Sequence, residues 1–164
     1  MANIALLTAA GKGTRTHQDI PKQFIHVNNK PIIIYTLEVF QKSTDIDAIQ
    51  IVCQPEHKDR IIEIVRDYRI DKLRWITEGG STRPESFRNA VLALRQSLND
   101  DDIIVVHVGV SPLVSPEDIA SSIAMCEEKG CCFTMHPIRI CMAQSGNDGW
   151  TDRDAPKEKY IKLN

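Results

Sequence analysis

Short apolar runs alternate along this chain with segments whose apolar residues recur at helical spacing. That alternation constrains the fold more than any other feature. Residues 3–8 (NIALLT), 48–53 (AIQIVC), 73–77, 103–107 (IIVVH) and 131–136 read as strands. The run 103–107 is apolar enough to be buried on both faces. Between the runs, Ile33, Leu37 and Phe40 share one helical face, opened by Lys30-Pro31 and running to Gln41. Pro31 suits a first helical turn, where its missing N–H has no partner. Ile61, Ile64, Val65 and Tyr68 share a face over 56–68, and Phe87, Val91, Leu94 and Leu98 form a stripe over 84–98. Ser115-Pro116-Glu117-Asp118 reads as a helix start, with Ser115 as N-cap and acids in the first turn. That helix runs to about Lys129 and stops at Gly130. Strands alternating with helices predict an α/β fold, a mainly parallel sheet with helices on both faces. Ligands of such sheets bind beyond the carboxyl ends of the strands.

The chain has 164 residues, enough for one domain (1–164) with a full core. Its net charge of −2 supplies no overall field toward nucleic acid or an anionic membrane. No apolar run approaches the roughly 18 residues of a membrane span, and the start MANIALL is too short for a signal peptide. The expected compartment is the cytoplasm. The five cysteines, Cys53, Cys126, Cys131, Cys132 and Cys141, are an odd count that fits reduced thiols. Cys126, Cys131, Cys132 and His136 match no common zinc spacing, and adjacent Cys131 and Cys132 would face opposite sides of a strand. Buried thiols are the simpler reading.

The loop after the first strand carries the chemistry. Gly11 and Gly13 admit backbone angles closed to other residues and let main-chain N–H groups approach an anion. Arg15 and Lys22 add mobile positive charge, a combination suited to a triphosphate. The loop has neither the G-x-x-x-x-G-K-[ST] spacing of a P-loop nor a full G-x-G-x-x-G. A lone G-x-G also fits a plain tight turn, and Arg15 and Lys22 also fit solvated surface charge.

The whole run, A-A-G-x-G-x-R followed by P-K-Q-F, resembles the cytidylyltransferases that make CDP-methylerythritol and CDP-ribitol. Lys30-Pro31-Ile32 and Thr36-Leu37-Glu38 are similar to that family's K-P-I and its following helix. Glu78-Gly79-Gly80-Ser81-Thr82-Arg83 with Ser86 resembles its G-G-x-x-R-x-x-S, and residues 103–115 sit where it has a strand and H-D-A-x-R-P. The resemblance implies a Rossmann-like fold of the nucleotide-diphospho-sugar transferase type with a C-terminal arm. It implies that CTP and a polyol phosphate (methylerythritol 4-phosphate or ribitol 5-phosphate type) give a CDP-polyol and pyrophosphate, with Mg2+ as cofactor and a homodimer as the assembly.

On this resemblance Arg15 and Lys22 are catalytic, and Ala9, Ala10, Gly11, Gly13 and Gly109 line the nucleotide. Gly79, Gly80, Arg83 and Ser86 close the side of the base and ribose. Gly79-Gly80 also reads as a simple turn, Ser86 as a helix-start residue, and Arg83 as a salt-bridge brace for the loop.

Departures from the family pattern are specific. H-D-A-x-R-P appears as His107-Val108-Gly109-Val110-Ser111-Pro112, so the metal-holding aspartate of the family is Val108 and its arginine is Ser111. Valine cannot ligate magnesium, which takes oxygen donors. Asp100, Asp101 and Asp102 enter the strand about 17 Å from its far end and cannot substitute. The family's P-x-R-D-T-x-K reads Pro137-Ile138-Arg139-Ile140-Cys141-Met142-Ala143. Residues 137–157 would form the dimerisation arm, with Arg153 of Asp152-Arg153 gripping the substrate phosphate. Lys162-Leu163-Asn164 stops where the family continues into T-P-Q, so the chain reads as a truncated domain. Three readings stay open: a working enzyme with a shifted metal site, a catalytically silent nucleotide-binding relative with a regulatory or assembly role, and a fragment or altered form of an active parent. Transfer from another nucleotide is a further alternative, since G-x-G-x-R…P-K recurs in sugar-phosphate nucleotidyltransferases.

Overall fold

The computed structural model describes residues 1–11, 20–137 and 161–163. Four parallel strands form the central sheet: β1 (Asn3–Thr8), β4 (Ala48–Cys53), β5 (Leu73–Glu78) and β6 (Ile103–Val108). A two-residue hairpin, β2 (His26–Val27) and β3 (Lys30–Pro31), precedes the first helix. Asn28 and Asn29 turn it with φ of 48° and 60°, a left-handed pair that asparagine tolerates better than most residues. The helices are α1 (Ile32–Lys42), α2 (Lys58–Asp67), α3 (Arg83–Leu94) and α4 (Pro116–Lys129). Pro31 keeps an extended ψ of 138°, so α1 begins one residue after it.

Side chains alternate across the sheet, and each set meets its own helices. Ala5, Leu7, Ile49, Ile51 and Cys53 pack with Ile33, Leu37 and Phe40 of α1, Ile61 and Val65 of α2, and Ile119 and Ile123 of α4. Ile4, Leu6, Ala48 and Val52 pack with Ala90 and Leu94 of α3. Gln50 is a polar residue within β4, and its Nε2 donates to Thr77 Oγ1 (2.8 Å) and to the Ala90 carbonyl (3.0 Å), tying β4 to β5 and α3. Among the described residues no helix is long and apolar enough to cross a membrane.

Three local expectations change. The buried face of α3 is Ser86, Ala90 and Leu94, while Phe87 is 41% exposed. Thr82 caps this helix by accepting from the Glu85 N–H (3.3 Å), and Ser86 is drawn in by the Gly80 N–H (2.9 Å). Those two bonds set the rotation of the helix, and the small Ser86 and Ala90 let it lie close to the sheet. Strand β6 is the edge of the described sheet, in the order β5-β4-β1-β6, so it is covered less than its apolarity suggests and Val106 is 50% exposed. The expected strand over 131–136 is β7 (Met135–Pro137), paired antiparallel with β8 (Ile161–Leu163). Residues 131–134 lie outside the strand and are irregular. The stop at Gly130, with φ of 84°, and the Ser115 cap, whose Oγ accepts from the Asp118 N–H at 3.0 Å, follow the sequence reading.

Burial pushes the Cys53 thiol up to about 11 from its ordinary 9.0; neighbouring Glu78 and Glu56 raise it further and Lys58 opposes them. The sign for stability follows from that shift. Above the unfolded pKa the unfolded thiol loses its proton while the folded one keeps it, so this group's contribution to stability falls as pH rises through that window. Iodoacetamide at pH 8 should therefore label exposed Cys131 and leave Cys53 unmodified until the protein unfolds. Equal labelling rates in the native state would contradict the burial of Cys53.

Candidate functional site

In chain order the strands lie 3-2-1-4 across the sheet, so the order reverses between β1 and β6. At such a reversal the connections leave in opposite directions and open a crevice at the carboxyl ends. Thr8 and Val108, opposite one another in register, end the two strands there. The Gly109 N–H donates to the Thr8 carbonyl (2.9 Å). A Cβ at Gly109 would come within 3.3 Å of that carbonyl oxygen, so a small residue suits the turn.

The loop leaving β1 meets the loop leaving β5. A Cβ built on Gly79 would lie 2.6 Å from Ala10 Cβ and 3.1 Å from Ser86 Oγ. One built on Gly80 would run into the Glu85 side chain. Ser86 Oγ accepts from the Gly80 N–H and donates to the Thr82 carbonyl (2.9 Å). Glu85 accepts from the Ser81 N–H (2.8 Å) and hydroxyl (2.6 Å), and these bonds hold its carboxyl below the usual range. Gln54, directly after β4, donates from Nε2 to the Ala10 carbonyl (2.8 Å).

Ala9, Ala10, Gly79, Gly80, Ser86 and Gly109 thus stand at one end of the sheet. Their N–H groups are not equivalent. That of Ala9 donates to Val52 (2.7 Å) and that of Gly79 to Cys53 (2.7 Å), while those of Gly80 and Gly109 bind Ser86 and Thr8. The N–H groups of Ala10 and Gly11 make no hydrogen bond to the described residues, and Gly11 is exposed with open space around it. Both lie on the loop that leaves β1, where main-chain donors could face an anion. Gly13 and Arg15, and Arg153 with the arm from 138 onward, lie outside the described residues.

Lys22 opens a single helical turn, Lys22–Phe24, and is exposed. Phe24 meets His57 edge-on, with ring centroids 5.3 Å apart, and the Arg60 guanidinium lies 4.2 Å from the Phe24 centroid. His57 ends the turn Pro55–His57 that follows β4, so this packing sets Lys22 at the carboxyl end of the sheet. Arg83 is exposed at the start of α3 and has no ion pair among the described residues, so no salt bridge braces the loop through it there.

Two residues escaped the sequence reading. Gln54 carried only the faint signal of a polar residue at a strand exit. Gln23 is 2% exposed, with an Nε2 donor that has no partner among the described residues. It lies within the P-K-Q-F run, beside Lys22.

Gly79→Ala is expected to force the Ala10 and Gly79 loops apart. Overpacking of this kind costs about 1–3 kcal/mol, and calorimetric CTP affinity should fall with it. An unchanged melting temperature would show that the two loops are not in close contact.

A parallel sheet whose strand order reverses between β1 and β6, with helices on both faces and glycine-bearing loops at its carboxyl end, defines a class: the open α/β proteins. The chain matches the IspD (2-C-methyl-D-erythritol 4-phosphate cytidylyltransferase) family over residues 3–158 and belongs to it. It is 41% identical over 133 residues to the ribitol-5-phosphate cytidylyltransferase of Lacticaseibacillus paracasei, covering 81% of this chain and 57% of that protein. It is 32% identical over 162 residues to the 2-C-methyl-D-erythritol 4-phosphate cytidylyltransferase of Clostridium novyi, covering 98% and 68%. The solved structure of 4-diphosphocytidyl-2C-methyl-D-erythritol synthase from Anaerococcus prevotii superposes with a TM-score of 0.75 at 21% identity, covering 99% of this chain and 66% of that one, a likeness of fold. The chain spans little more than half the length of the curated relatives it resembles strongly, 57% of two ribitol-5-phosphate cytidylyltransferases.

Proposed function

We propose that the chain binds CTP in the crevice between the β1, β5 and β6 loops and transfers its cytidylyl group to a polyol phosphate. The observation that carries this reading is the meeting of Ala10 with Gly79, Gly80 and Ser86 at the strand reversal, in a chain of this family. A phosphate oxygen of the polyol phosphate would attack the α-phosphorus. The bond from that phosphorus to the bridging oxygen of the β-phosphate breaks, and pyrophosphate leaves with the electron pair. Such a reaction asks the protein mainly for positioning and for stabilisation of spread negative charge. Lys22 and Arg15 would supply cations, the Ala10 and Gly11 N–H groups would face the phosphates, and Gly79, Gly80, Arg83 and Ser86 would flank the nucleoside. Gly109 would close the crevice floor and Arg153 would hold the acceptor phosphate. The acceptor is ribitol 5-phosphate or methylerythritol 4-phosphate, the substrates named for the relatives, and the assembly a homodimer in the cytoplasm.

The resemblance implies magnesium at the position of Val108. An isopropyl side chain donates no oxygen, so the described residues do not fit a protein-held ion there, and no step is routed through one. Val108 favours a second reading, a nucleotide-binding relative without turnover. Pyrophosphate release with CTP, magnesium and the two polyol phosphates separates the readings. Release supports transfer; CTP binding without release supports the silent relative. No CTP binding rejects both, and equal competition by UTP or GTP points to another nucleotide.

A further inference from the structure

We infer that the crevice at the β1–β6 reversal selects the metal-free, more highly charged form of the nucleoside triphosphate, and that Val108 sets this preference. The inference rests on the proposed CTP site and concerns which ionic form that site accepts. Val108 is half-buried at the end of β6, and its carbonyl accepts the Ser111 N–H (3.0 Å). His107 Nε2 pairs with the Ser111 carbonyl at 2.9 Å, while the His107 ring lies 5.4 Å from the Phe40 ring, so the turn is held from both sides. The other carboxylates do not replace the missing one: Glu78 ends β5, three strands from β6 and so about 14 Å across the sheet, and Glu56 follows β4, two strands away. Glu85 is engaged by Ser81, and Asp102 accepts from Ala2 (2.6 Å) and Asn99 (2.8 Å) at the opposite end of β6. Among the described residues no three His, Cys, Asp or Glu side chains are placed to hold a metal ion.

Exposed Lys22 and Arg83 stand at the carboxyl end of the sheet, with the N–H groups of Ala10 and Gly11, which make no hydrogen bond to the described residues; exposed Glu78 and Glu56 lie there too, toward β5 and β4 and away from Val108. A free triphosphate carries about two more negative charges than its magnesium complex, so cations and N–H donors attract it more strongly. A carboxylate at position 108 would reverse the order, repelling the free anion and ligating the metal complex through oxygen.

The test is calorimetric titration of the 164-residue chain with CTP, in excess magnesium and in EDTA at matched ionic strength. The expected Kd in EDTA is lower than that in magnesium. An equal or higher Kd in EDTA overturns the inference, and this comparison needs no variant. Val108→Asp should invert the order, binding about tenfold more weakly in EDTA and recovering in magnesium. Val108→Asn, of the same shape without the charge, should keep the parent's order. If Val108→Asp folds with an unshifted circular dichroism spectrum and keeps the parent's order, position 108 does not set the preference. Absence of CTP binding in both buffers would instead reject the CTP site itself, so the two failures are distinguishable.

Discussion

Lys22→Ala should lower CTP-dependent pyrophosphate release by about a hundredfold or more, with thermal unfolding unchanged. Lys22 is exposed, and what its residue gives the fold is a carbonyl accepting the Ile25 N–H at 3.2 Å, which alanine keeps. Surface truncations of this kind shift stability by less than about 0.5 kcal/mol. The ligand effect follows from the proposed site, where the Lys22 cation would stabilise charge that spreads over the phosphates in the transition state. Calorimetry should show weakened CTP binding in the same variant. Lys22→Arg should retain much of the activity, since it keeps the charge. Parent-like CTP affinity and release in Lys22→Ala would remove Lys22 from the site.

Phe40→Ala is expected to destabilise the protein by about 3–5 kcal/mol, a large share of a typical domain's stability of about 5–15 kcal/mol. Phe40 is fully buried in the last turn of α1, within the core between α1, α2, α4 and the sheet. The hydrogen-bonded strands of that sheet cannot close inward, so a cavity remains and adds to the lost transfer energy. The ring also lies against His107, one residue before Val108. The loss should therefore reach the crevice and weaken CTP binding at temperatures where the variant is still folded. Urea unfolding measures the effect as a lower midpoint with an unchanged slope. A loss below about 1 kcal/mol would mean that the core refills the space.

Much of the fold was legible because its signals are local. NIALLT and AIQIVC coincide with β1 and β4, and Ser115 and Gly130 bound α4 as caps should. The expected strand 131–136 is met only at 135–136, within β7, because an apolar run does not fix where pairing begins. Of the α3 stripe, Leu94 is buried and Val91 and Leu98 pack against the core, but Phe87 is exposed and Ser86 and Ala90 take the buried face, because both sets satisfy helical spacing. Periodicity does not choose between adjacent faces when a serine hydroxyl can be recruited by a glycine loop. For the candidate site, the motif residues at positions 9–11, 79–86 and 109 could be named from resemblance, yet nothing in their spacing placed Ala10 against Gly79.

The amino-acid sequence by itself determined the alternation of strands and helices, the cap residues and the chemistry at position 108, where a valine can hold no metal. These depend on steric preferences and donor atoms within a few residues. The tertiary structure alone decided that β6 lies at the edge of the described sheet and that Ala9, Gly79 and Gly109 have their N–H groups engaged, while Ala10 and Gly11 bind none of the described residues through theirs. Each of those outcomes depends on a partner tens of residues away, and only closure of the sheet selects that partner.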